Sequence, residues 1–236
     1  MSQSTLTFWR PALAGMLCMA TGAGMMSIFG FFVEPLSTEF GVGAAVINIG
    51  PVALLLVPGI VSPFVGRLAD RLPVRRLVLF GVALAMAALL VLSRAPSLAL
   101  IGMCFLVFSL GLTFYGPVVI NGLMVKLYPG QEARALSLVA VGMSLASAIL
   151  PPLMGFLLMS FSWRTALSML AIGVLVLLSA VAWRTLPSTV VGAINQADSR
   201  FDKSTYRRLE FWLIGVSMAM ALSSSVIMAL VLSLIH

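Results

Sequence analysis

The sequence predicts an all-α integral membrane protein, and three observations predict it. Of its 236 residues, 61% are hydrophobic and only 9% charged, with a mean hydropathy of +1.14. Water-soluble domains carry about a quarter charged residues, because their surface has to be hydrated. The charged side chains are gathered between long charge-free runs, at residues 11–33, 40–66, 77–93, 95–125, 135–163, 165–183 and 211–235. Finally, the 14 Lys and Arg residues crowd onto alternate connections between those runs.

A bilayer core of ~30 Å needs about 20 helical residues, so each run is read as a spanning helix, seven in all. The first is too long for the apolar part of a signal peptide, and Phe32-Val33-Glu34-Pro35-Leu36 is a poor cleavage site. The second ends in a basic turn that leads directly into the third, and the fourth and fifth follow after short connections. The fifth carries Gly142, Ala146, Pro152 and Gly155, residues that let helices approach closely or bend. The sixth opens at Ser162-Trp163-Arg164. After it come the polar residues Asn195, Gln196, Asp198 and Asp202 among further basic ones. Residues 1–184 are therefore expected to form a six-helix bundle and 185–208 a solvated cytoplasmic linker. Residues 209–236 are expected to form the first helix of an incomplete C-terminal bundle, so that the chain reads as truncated.

Orientation follows from the basic residues. With a cytoplasmic N-terminus, one face holds Arg10, Arg67, Arg71, Arg75, Arg76, Lys126, Arg134, Arg184, Arg200, Lys203, Arg207 and Arg208. The other holds only Arg94 and Arg164, beside Glu34 and Glu39. The positive-inside rule then predicts a cytoplasmic N-terminus in a multi-pass cell-membrane protein.

Several function classes are excluded. The net charge of +7 comes from basic residues in short runs next to apolar spans, which suits lipid headgroups and not nucleic acid. Cys18 and Cys104 lie in apolar runs without metal-ligand spacing, and no metal or other cofactor is expected. The lysines, Lys126 and Lys203, lie in loops, against a retinal protein, and the sole histidine is His236. No nucleophile-and-base constellation supports a membrane enzyme, so no catalytic residue is assigned.

The most specific feature is the turn Gly66-Arg67-Leu68-Ala69-Asp70-Arg71-Leu72-Pro73-Val74-Arg75-Arg76. A cytoplasmic turn attracts arginine in any case, but that does not account for Gly66 four residues before an Asp-Arg pair. Here the chain resembles the major facilitator superfamily, whose second-to-third helix loop reads G-x-L-x-D-R-x-G-x-R-R. Gly66, Leu68, Asp70, Arg71, Arg75 and Arg76 match, while Pro73 replaces the second glycine and cannot take the positive φ that glycine allows. The resemblance implies a conformational latch in which Asp70 faces a helix N-terminus of the other half of the transporter. It further implies that Arg71, Arg75 and Arg76 pair with carboxylates or lipid phosphates. The stretch from Phe31 to Gly41 is similar to bacterial carriers of the monocarboxylate and oxalate/formate type. That likeness implies a bacterial inner-membrane location and a small organic anion as substrate.

No charged residue lies midway along any predicted helix, which leaves a proton-carrying acid to a helix end, as at Glu34, or to the missing C-terminal half. Protons are the candidate coupling ion, and Glu34 is the candidate outer gate. In the family, helices one, four, seven and ten line the cavity. Carried over, Thr21, Ser27, Ser109, Thr113, Tyr115 and Ser224 become candidates for contact with a small-molecule substrate. Each hydroxyl could equally bond its own helix backbone. The expected function is alternating-access secondary transport of a small organic anion. Export of neutral or lipophilic compounds is the alternative, and a non-transporting receptor or scaffold a third.

Overall fold

A computed structural model describes residues 3–189, folded as helices within the compact unit Met1–Gly192. In chain order these are α1 (Gln3–Ile28), α2 (Gly30–Phe40), α3 (Ala44–Ile47), α4 (Ile49–Arg71), α5 (Val74–Leu92), α6 (Leu98–Tyr115), α7 (Pro117–Leu127), α8 (Glu132–Ser160) and α9 (Trp163–Thr185). Six segments among the described residues are long and apolar enough to cross a bilayer: Phe8–Ile28, Ala44–Arg71, Val74–Leu92, Leu98–Leu127, Glu132–Ser160 and Trp163–Thr185. The predicted seventh helix, Ser224 on it, and most of the predicted linker lie outside the described residues.

The first, second and fourth charge-free runs each fold as two helical pieces instead of one. In the fourth, Gly116 adopts an extended conformation and Pro117 opens α7, where its missing N–H costs no intrahelical bond. In the first, tight turn bonds from Phe29 to Met26 and from Phe32 to Phe29 separate α1 from α2. Ser97 and Ser162 cap α6 and α9 by accepting from the N–H groups of Leu100 and Thr165.

Two seams hold the bundle. Between α1 and α8, a Cβ on Gly142 would collide with the Met16 carbonyl, so only glycine permits that approach. Between α5 and α6, a Cβ on Gly111 would lie 2.6 Å from the Ala85 nitrogen, which makes this a backbone-to-backbone contact of the kind small residues give membrane helices. By contrast α4 and α8 leave broad apolar faces uncovered, including Val52, Leu55, Leu56, Ile60 and Phe64 on α4 and Val141, Leu145, Ile149 and Phe156 on α8.

Candidate functional site

At the arginine-rich end, α4 runs through Asp70 to Arg71, and Leu72 and Pro73 turn the chain into α5 without any positive φ. The departure at Pro73 is thus accommodated by a two-residue extended turn. Gly66 packs against α7, where an added Cβ would sit at an ordinary 3.6 Å from Val118. Among the described residues Asp70 accepts a hydrogen bond from Lys126 on α7, with N to O at 2.7 Å. Arg75 donates through Nε to the Leu186 carbonyl at 2.8 Å and lies 5.8 Å above the Trp183 ring, so it caps the end of α9. Its partners are a carbonyl and an indole, where the resemblance implied carboxylates or phosphates. Arg71 and Arg76 are exposed. Nearby, Tyr128 donates to the Phe8 carbonyl at 2.8 Å and stacks on Trp9, which ties the end of α7 to the start of α1.

Within the membrane, the candidate hydroxyls sit inside the bundle. Thr21 is buried and donates to the Cys18 carbonyl at 2.8 Å, and Thr113 donates to Ser109 at 2.9 Å. Ser109 is fully buried. The Tyr115 hydroxyl is also fully buried, beside Thr21, without a hydrogen bond of full geometry. The backbone of α1 and α6 thus absorbs the two threonine hydroxyls, as Ser and Thr commonly do in membrane helices. Ser27 is different, for although it donates to the Gly24 carbonyl at 2.8 Å, it also lines an open cleft.

That cleft, at the arginine-poor end, has a volume of about 620 Å³ and lies between the α1–α2 junction, the end of α8 and the start of α9. Ser27, Phe31, Glu34, Phe161, Ser162 and Trp163 are among its walls. Next to it is a clasp that sequence reasoning did not assign. Arg164 donates to the Glu39 carboxylate, to the Ser93 carbonyl at 2.9 Å and to the Ala95 carbonyl at 3.0 Å. Trp163 donates to the other Glu39 oxygen at 3.0 Å, and the guanidinium lies 4.6 Å from its ring centre. The Arg164 hydrogen bond, assisted by that of Trp163 and by the guanidinium charge, holds the Glu39 carboxyl below its ordinary 4.5 against the opposing effect of partial burial. The one available signal was compositional: Arg164 is one of two basic residues on a face that also carries Glu39.

The sequence profile of the Major Facilitator Superfamily matches residues 14–236. No curated protein matches the chain as a relative. Among solved structures, the peptide transporter POT in complex with sulfate superimposes with a TM-score of 0.62 at 18% identity, covering 93% of this chain and 46% of that one. A POT mutant in complex with alafosfalin gives 0.60 at 18% identity, with 98% and 49% covered. The chain therefore spans about half the length of these solved transporters, and the likeness is one of fold.

Proposed function

Because the chain belongs to the major facilitator superfamily, we propose that it supplies one wall of a secondary transporter that carries a small organic anion by alternating access. The observation that carries this reading is the pair of uncovered apolar faces on α4 and α8, in a bundle that matches under half of the solved transporters. A companion bundle against those faces would complete a central path. Residues 1–184 serve as the first bundle and 185–208 as the linker to it, with the N-terminus in the cytoplasm of a bacterial inner membrane.

The turn from Gly66 to Arg76 acts in this reading as the latch between bundles, with Asp70 exchanging Lys126 for a helix N-terminus of the companion. The anion reading rests on the likeness from Phe31 to Gly41, and its counter-charge would come from the companion bundle. Thr21, Ser109, Thr113 and Tyr115 would contact solute only if the helices re-pack, and Ser27 faces a cleft that also holds the Glu34 carboxylate, so an anion would not be drawn to it there. Protons are the proposed coupling ion, carried at a helix end such as Glu34 or in the companion. A second reading, export of neutral or lipophilic compounds, is favoured by the apolar walls of α4 and α8.

Counterflow of labelled mono- and dicarboxylates in proteoliposomes tests the proposal. Exchange is expected from a two-bundle protein containing this chain, and none from residues 1–236 alone. Exchange of a neutral lipophilic dye without anion exchange would select the second reading. Solute binding without any exchange would mark a receptor.

A further inference from the structure

We propose that the cleft at Glu34 binds an organic ammonium group. The Glu34 carboxylate has no hydrogen bond or ion pair among the described residues, since only its main-chain carbonyl is engaged, accepting from Thr38 at 2.9 Å. Two side-chain donors on the walls are engaged elsewhere, and the third, the Ser162 hydroxyl, lies 3.0 Å from that of Thr165. Trp163 gives its N–H to Glu39, and Ser27 gives its hydroxyl hydrogen to Gly24. Arg164, the nearest cation in sequence to the cleft wall, is turned towards Glu39, Ser93 and Ala95. What faces the cleft is therefore a carboxyl group and two serine oxygens, with no unused side-chain N–H donor among the walls.

The walls decide which cation fits. Phe31 and Phe161 are 39% and 43% exposed and bring two open aromatic rings to a space of about 620 Å³, which Trp163, stacked against the Arg164 guanidinium, also borders. That volume is in the range of small-molecule sites. Hard cations such as calcium take six to eight oxygen ligands, which one carboxylate and two serine hydroxyls cannot supply. An ammonium on an apolar frame takes the charge from the carboxylate and packs its methylenes or methyls against the rings. An anion would be repelled by the exposed Glu34 carboxylate, and a neutral solute would gain no charge attraction from it. Such a group can arrive on a free solute or on the headgroup of phosphatidylethanolamine, and the chemistry is shared.

The inference goes beyond the transport reading and is read out by binding, so failure of transport leaves it standing. The 236-residue chain in nanodiscs of phosphatidylglycerol is titrated with labelled benzyltrimethylammonium, with phenylacetate as the anionic counterpart. Saturable binding of the cation is expected, with E34Q weakening it by about fivefold and F161A by about threefold. E34Q removes no contact of the folded chain, and its elution and circular dichroism are expected to match the parent. Weaker binding in phosphatidylethanolamine nanodiscs supports the site and names the headgroup as its occupant, while equal binding supports it for a free solute. The proposal is overturned by absent binding, by equal affinity in E34Q, or by phenylacetate binding as tightly as the cation.

Discussion

The two ends of the bundle are fastened in different ways. At the arginine-poor end one guanidinium joins a carboxylate on α2, 39% exposed, to two main-chain carbonyls just beyond α5 from its place on α9. Three helices, α2, α5 and α9, are joined at that one group. At the arginine-rich end the corresponding ion pair, Lys126 with Asp70, joins α4 to α7 through a single bond whose carboxylate is 58% exposed. Water and salt compete more readily for a single bond of the second kind than for the several bonds that hold the first. The difference separates a fastening that holds spans together as a body from a contact that can change partners at little cost. The alternating access proposed for the chain would need both.

The sharpest way to break this comparison is at Arg164. R164A leaves the carbonyls of Ser93 and Ala95 and the Glu39 carboxylate without their charged donor, and hydrogen bonds to charged groups are worth about 1.5–3 kcal/mol. A loss of about 2–3 kcal/mol is expected in reversible unfolding in mixed micelles. R164K is expected to recover only part of it, because an ammonium lacks the planar fork that reaches a carboxylate and two carbonyls together. If R164A unfolds with the midpoint of the parent, the two ends are equivalent and the distinction fails.

Acid offers a milder probe of the same end. Glu39 is held below its ordinary 4.5 in the folded chain, chiefly by Arg164. A carboxyl with a lowered folded value contributes stability that is complete above its unfolded value and disappears as the pH falls through the folded one. The melting temperature of the parent is therefore expected to drop below about pH 4.5 by more than that of E39Q, which has nothing there to protonate. Parallel curves for the two proteins would show that the clasp does not depend on the Glu39 charge.

What the sequence made legible, and what it did not, follows the same physics. The six described spans are visible because a charge in hydrocarbon is costly, so the charged residues mark their ends. The break at Gly116-Pro117 carried a local signal in its own residue types, whereas the one at Phe29 did not. The basic turn was legible, but its partner Lys126 lies 56 residues away and could only be read as one more cytoplasmic charge. The clasp was hidden for a similar reason, with Arg164 and Glu39 separated by 125 residues. Hydroxyl placement was least legible of all. A helix such as α6 is apolar on every side, so no pattern tells which face meets a cavity and which meets a neighbour.

The smallest effect is expected at the other end and completes the comparison. K126A and D70N each remove one exposed ion pair, for which about 0–1 kcal/mol is typical. Unfolding midpoints should stay close to that of the parent, and the small difference should vanish in high salt. A double-mutant cycle between the two positions should give a coupling energy of about 0.5 kcal/mol, against more than twice that for the cycle joining Glu39 and Arg164. A coupling at Asp70 as large as the one at Glu39 would mean that the turn is clamped as firmly as the α7–α1 contact beside it, where Tyr128 bonds Phe8. The turn from Gly66 to Arg76 would then be a fixed strut, and the proposal that it acts as a latch would fail.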